Sequence, residues 1–233
     1  MADDDDDDDD TPVRDLLKGA KPKPHDFPEV DPAHLPEDPI DLVIDWIRDA
    51  VAHDAAEPNA VVLATADADG RPSARTLLLK DVTPTVDDEP GALWFSSLAD
   101  SPKGRDLEAN PRAALVAYWR ERGRQIRATG PVFHGEREVS QRDFLSRHPS
   151  SRAEVIAGDQ SEPMPDAAER DTRIARAREA VEADPELVAE SWRAYVLQPT
   201  VVEFWQATED HGQLRIMYRS GPDGSWSHTL VWP

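Results

Sequence analysis

Residues 60–80 read AVVLATADADGRPSARTLLLK, and the architecture can be built outward from them. Ala60 to Ala66 is a short apolar run, which predicts a strand. Asp69-Gly70 is a turn dipeptide, and Arg71 to Lys80 then form a second apolar strand carrying Arg75 and Lys80. Two strands joined this tightly predict an antiparallel hairpin, with no crossover helix of the kind a parallel sheet needs.

Toward the N-terminus, Val43, Trp46, Ile47, Ala50 and Val51 recur at three- and four-residue spacing. This predicts an amphipathic helix ending before Pro58. Residues 1–38 combine the run Asp3 to Asp10 with six prolines, a composition that buries too little apolar surface to offset the entropy of ordering. They read as a disordered or extended arm, followed by one globular domain over 39–233.

Toward the C-terminus, Leu93 to Ser96 reads as a third strand, and Ser101-Pro102-Lys103-Gly104 opens a short helix that stops before Asn110-Pro111. Ala113 to Trp119 and Gln125 to Phe133 read as strands joined by the charged turn Arg120 to Gly123. Residues 138–190 are mainly helical with a break from Gly158 to Pro165. Val196 to Trp205, Gln213 to Arg219 and Ser225 to Trp232 are the last strands, with a turn at Gly221 to Gly224. The expected class is mainly β with peripheral helices, a barrel or curled sheet, without βαβ alternation.

Lys and Arg total 26 against 47 Asp and Glu, a formal net charge of −21, which argues against nonspecific nucleic-acid binding. Without cysteine there is no disulfide, thiolate metal site or thiol nucleophile. No apolar run approaches the ~20 residues of a membrane span, and the polyacidic start is unlike a secretory signal. A soluble cytoplasmic protein with no membrane partner is the expectation. The seven histidines show no metal-ligand spacing, so no metal is predicted.

Polar and cationic residues embedded in strands stand out: Arg75 and Lys80, Gln125 and Arg127, and Arg215 between Leu214 and Ile216. They fit either ordinary alternation with cations toward solvent or an anionic ligand held at the sheet. Spacing alone does not name that ligand.

At these residues the chain resembles the pyridoxamine 5′-phosphate oxidase family of flavin enzymes. The likeness is carried by Arg75 to Lys80, by Ser101 to Leu107 with Asn110-Pro111, by Arg124-Gln125, by Gln160-Ser161 and by Glu203-Phe204-Trp205-Gln206, in the family order. It implies a split β-barrel and a homodimer with flavin mononucleotide (FMN) in clefts between the subunits. Arg75 and Lys103 resemble the FMN phosphate contacts. Thr76, Leu77, Leu78 and Lys80, with Phe95 and Ser96, would present backbone and hydroxyl groups to the flavin. Gln125, Gln160 and Ser161 resemble contacts to the ring and ribityl chain, while Trp205 and Arg215 would close the site from the partner. Pro102 stands where a basic residue often precedes the lysine.

On the substrate side the likeness breaks down. Lys80, Arg147 and Ser151 match positions that hold the substrate phosphate in the vitamin B6 enzymes, but Asp143 replaces a tyrosine and His211-Gly212-Gln213 replaces an Arg-Leu-His segment. A carboxylate beside a phosphate is repulsive, by ~1 to ~4 kcal/mol at ~4 Å. The resemblance therefore implies an oxidase closer to the phenazine-type, secondary-metabolite members. It would pass a hydride from a small, ring-containing, anionic substrate to FMN, with O2 reduced to hydrogen peroxide. Lys80 and Arg147 would hold a carboxylate or phosphate. His211, ionising near neutrality, is the candidate proton acceptor, or else a plain loop histidine. The alternatives are a true pyridoxine/pyridoxamine 5′-phosphate oxidase, a non-catalytic flavin- or heme-binding module on the same barrel, and a purely structural acidic protein.

Overall fold

The hairpin at residues 60–80 is present as β1 (Ala60–Ala66) and β2 (Pro72–Leu78), paired from Ala60↔Leu78 to Ala66↔Pro72. Gly70 sits in their turn at φ 79°, a conformation that favours glycine. The structure is a computed structural model that describes Val13 and residues 27–233, apart from 88, 165 and 209–211. The aspartate run and most of the proline-rich arm lie outside the described residues.

Helix α1 (Pro39–Ala52) starts at Asp38, whose carboxylate accepts from the Ile40 N–H, and it buries the stripe Ile40, Val43, Trp46 and Ala50. Then follow β3 (Asp81–Thr83), β4 (Ala92–Leu98), α2 (Pro102–Ala109), β5 (Arg112–Trp119) and β6 (Arg124–His134). Helices α3 (Arg137–Ser146), α4 (Pro149–Ala157) and α5 (Ala167–Ala183) lead to β7 (Trp192–Leu197), β8 (Val201–Ala207), β9 (Gln213–Ser220) and β10 (Trp226–Leu230).

The strands form one antiparallel sheet curled into a half-barrel. One arm runs β10-β9-β8-β6-β5-β1-β2, and the other runs β6-β7-β4-β3. Strand β6 belongs to both: residues 124–129 pair with β8, and 132–134 pair with β7. Alternation sends Leu63, Leu115, Ile126 and Phe204 into a continuous core with Trp46, Phe95 and Trp119. The opposite face carries a cross-strand row of Thr76, Val62, Val116, Arg127, Glu203 and Met217.

Arg124 ties α1 to the barrel. Its guanidinium lies 4.5 Å from the centre of the Trp46 ring and donates to Asp49 and to Gln206 Oε1, each at 2.8 Å. Val30 and Leu35 also pack on the main core, and the Tyr218 hydroxyl donates to the Pro36 carbonyl at 2.9 Å.

Three expectations change. The run Val196 to Trp205 is two strands broken at Gln198-Pro199-Thr200, where the chain passes from one arm of the sheet to the other. Pro199 has no N–H for a ladder, and Gly130 has no side chain to obstruct the Gln198 carbonyl packed against it. The helical region also breaks at Arg147-His148, because a residue preceding proline avoids the helical conformation and Pro149 starts α4. The three-residue β3 is additional to the expected strands.

Candidate functional site

Two cations converge at the start of α2, Lys103 buried and Arg75 half-buried. Ser101 caps the helix, its hydroxyl accepting from the Gly104 N–H at 3.2 Å. Lys103, in the first turn, is only 8 % exposed. Its ammonium donates to Ser101 Oγ at 3.1 Å and to Gln160 Oε1 at 2.9 Å. Both partners are neutral. Burial pushes the Lys103 ammonium down to about 8, and the Arg75 cation adds to the effect.

Arg75 projects from β2 and donates to Thr65 Oγ1 at 2.8 Å, the Leu63 carbonyl at 3.2 Å and Ser73 Oγ at 2.7 Å. Asp106 lies 3.9 Å away and itself accepts from Thr65 Oγ1. Burial lowers the Arg75 pKa more than this carboxylate raises it. The cleft between them holds about 530 Å³ and brings together Arg75, Thr76, Leu77, Ser96, Lys103, Arg147, Ser151 and Gln160. Lys103, Arg75, a helix N-terminus and an amide give the cleft donors suited to an anion, while Glu154 and Asp159 also line it.

Ser96 also lines an adjoining cleft of about 390 Å³ with Lys80, Phe95, Arg142 and Asp143. Here the structure corrects the picture of a carboxylate facing the substrate alone. Asp143 lies 3.1 Å from the Lys80 ammonium and accepts from Trp192 Nε1 at 2.9 Å. Arg147, one helical turn on from Asp143, lies 4.8 Å from the centre of the same Trp192 ring, and its Nε is buried without a hydrogen-bond partner.

Gln125, Trp205, Gln213 and Arg215 form a second group that lines neither cleft. Gln125 on β6 is in register with Trp205 on β8, and Trp205 with Arg215 on β9. Trp205 Nε1 donates to Gln213 Oε1 at 2.6 Å, and its ring lies 6.4 Å from that of Tyr118. Arg215 and Arg127 each donate to the buried Glu203 at 2.9 Å. Leu78 faces outward, half exposed; Ser161 is exposed at φ 72° beside Gln160; the Phe95 ring is buried against Tyr195. His211 lies outside the described residues. Trp192 was not foreseen, since a lone tryptophan in an apolar run reads as core. A larger cleft of about 900 Å³ adjoins the first along α2 and residues 187–193 but is lined by neither Lys103 nor Arg75.

The half-barrel is the fold of a family of oxidoreductases, and the comparisons make the assignment. The chain belongs to the pyridoxamine 5′-phosphate oxidase family: residues 47–195 match that family, and residues 192–233 match its pyridoxine 5′-phosphate oxidase C-terminal dimerisation region. A pyridoxine/pyridoxamine 5′-phosphate oxidase of Herminiimonas arsenicoxydans is 37% identical over 208 residues, covering 89% of this chain and 94% of that protein. One of Hyphomonas neptunium is 39% identical over 200 residues, covering 84% and 88%. Among solved structures, PhzG from Burkholderia lata in complex with tetrahydrophenazine-1-carboxylic acid superposes with a TM-score of 0.81 at 27% identity, covering 91% of this chain and 100% of that one. No helix among the described residues is long and apolar enough to cross a membrane.

Proposed function

We propose that the protein is an FMN-dependent oxidase of a small, ring-shaped, anionic metabolite, working as a homodimer in secondary-metabolite chemistry of the phenazine type. The observation that carries the cofactor reading is Lys103, a buried ammonium with only neutral partners, beside Arg75. A phosphate dianion supplies the missing counter-charge. Arg75 and Lys103 would hold that phosphate, with Thr76, Leu77, Ser96 and Gln160 along the cleft for the rest of the cofactor. When bound, FMN supplies two-electron chemistry, taking a hydride from the substrate and passing the electrons to O2 to give hydrogen peroxide.

The chain's own residues bind and orient. Arg147 and Ser151 face the cleft and suit an anionic substituent on the substrate, and the Trp192 ring behind Arg147 fixes the guanidinium. Gln125, Trp205, Gln213 and Arg215 would serve the partner's site, since they sit on the outward sheet face together with the family's dimerisation region. His211 is the proposed proton acceptor.

The second reading is a vitamin B6 oxidase, favoured by the names of the curated relatives and by Lys80, Arg147 and Ser151 at the phosphate-holding positions. The engagement of Lys80 by Asp143 favours the first, as does the likeness to a structure holding a ring carboxylic acid. The test is peroxide release by the purified protein with pyridoxine 5′-phosphate and with reduced phenazine-type carboxylates, after a visible spectrum for bound flavin. Efficient turnover of pyridoxine 5′-phosphate selects the second reading; a colourless protein that takes up no added FMN removes both.

A further inference from the structure

The Lys80–Asp143 pair lines the smaller cleft, which shares Ser96 with the first, and deepens the proposed reading of a substrate site there, on which the inference rests. Lys80 lies two residues beyond the end of β2, and Asp143 on α3 meets it at 3.1 Å. Asp143 is itself fixed by the Trp192 indole N–H at 2.9 Å, and it is the more buried of the two, at 14% against 29% exposed. The pair is therefore anchored from the carboxylate side, and the ammonium is drawn to it. The rim adds no net charge, because Arg142 and Asp81 line the same cleft with opposite signs. Arg147 lines the adjoining cleft, its guanidinium over the same Trp192 ring and its Nε unpartnered.

We infer that Asp143 sets the charge of the substrate: by taking up the Lys80 ammonium it removes one cation from those that could meet the substrate's anionic group, and so selects a ring compound bearing a single carboxylate over one bearing a phosphate dianion. A dianion brought here finds Lys80 already engaged and meets the Asp143 carboxylate as well. A carboxylate needs only the flat fork of Arg147, which matches its two oxygens. Asp143 acts through Lys80, so it is a specificity-determining residue and takes no part in the chemistry.

The experiment is calorimetric titration of the FMN-supplemented full chain with pyridoxal 5′-phosphate and with phenazine-1-carboxylate. Parent, Asp143→Asn, Lys80→Gln and the double variant are compared. Asparagine keeps the shape and an oxygen for Trp192 Nε1 but frees Lys80. Asp143→Asn is expected to tighten the phosphate compound by about tenfold or more and to change the carboxylate by less than about threefold. Lys80→Gln alone is expected to alter phosphate binding by less than about threefold, and in that background Asp143→Asn should shift the ratio by less than about twofold. An unchanged ratio in Asp143→Asn, a tenfold loss of phosphate binding in Lys80→Gln, or a shift that persists without Lys80 each overturns the inference. Bound flavin is read separately by visible absorption. A colourless protein whose ratio still shifts overturns the cofactor reading and keeps Asp143 in this role, whereas a yellow protein whose ratio stays fixed does the reverse.

Discussion

Lys103 Nζ donates to Gln160 Oε1 across 2.9 Å, latching the first turn of α2 to the loop that follows α4. An amide oxygen carries too little charge to balance a buried ammonium, so the latch holds the cation ready for an anion. Lys103→Met should weaken FMN by about ten- to a hundredfold, the equivalent of roughly 1.5–3 kcal/mol for one charge-assisted bond. Flavin fluorescence quenching on titrating the flavin-free protein measures it. The melting temperature of the flavin-free variant should be no lower than the parent's, because the variant removes a buried charge.

The same group gives a pH dependence of defined sign. Lys103 falls from its ordinary 10.5 to about 8 in the folded chain. Between those values the unfolded chain holds more protons, so the stability of the flavin-free protein rises with pH across that window, and below it the burial penalty is full. The melting temperature of the parent relative to Lys103→Met should rise from pH 7.5 to 10. FMN binding runs the other way. It is strongest with Lys103 charged and should weaken above pH 8 by up to about tenfold per pH unit, as a proton must be taken up with the ligand. Lys103→Met should lack this slope, which dissociation constants measured from pH 7 to 9.5 would show.

Gly104 is the other exacting position in this turn. A Cβ there would run into the Ala99 carbonyl and come within 2.6 Å of the Leu98 carbonyl oxygen, both of them backbone. Gly104→Ala must therefore displace the helix start and carry Lys103 with it. The expected result is a loss of about 1–3 kcal/mol in stability, as for overpacked sites, together with weaker flavin retention. Urea unfolding and flavin content check the two.

Glu203 organises the outward face. It is 5 % exposed and accepts from both Arg127 and Arg215. Glu203→Ala strands the Arg215 guanidinium and should destabilise by about 2–4 kcal/mol. Arg127→Ala should cost under about 1 kcal/mol, since that side chain is half exposed. Denaturant unfolding of the two variants measures the difference, and light scattering of the parent should give twice the chain mass if this face joins two subunits.

The β1–β2 hairpin was legible because its strands are bounded by Asp-Gly and have an apolar run on each side. The helix start at Ser101-Pro102-Lys103-Gly104 was legible from its capping serine and proline, whereas Lys103 as a phosphate contact came from the family resemblance alone. The Lys80–Asp143 pair was not, since it depends on how α3 packs against β7, a contact that no local periodicity encodes. Reading Val196 to Trp205 as one strand joined two apolar stretches across Gln198-Pro199-Thr200, and Pro199 was the signal against it. Trp192 is indistinguishable in sequence from a core aromatic, and only its indole bond to Asp143 sets it apart.

Strand β6 has a consequence for how the molecule is made. Its residues 124–134 serve both arms of the sheet, yet two of the strands that pair with it, β7 and β8, lie at 192–207. A chain emerging from the ribosome can form the hairpins β1–β2 and β5–β6 early, from local contacts. It cannot join the two arms until the last quarter has been synthesised, because β4 reaches β6 only through β7. Such distant pairing is slow, and the waiting edges of β4 and β6 are unprotected strands during that interval. Premature termination before Trp192 would thus leave two exposed half-sheets, a species for chaperones and proteases to handle.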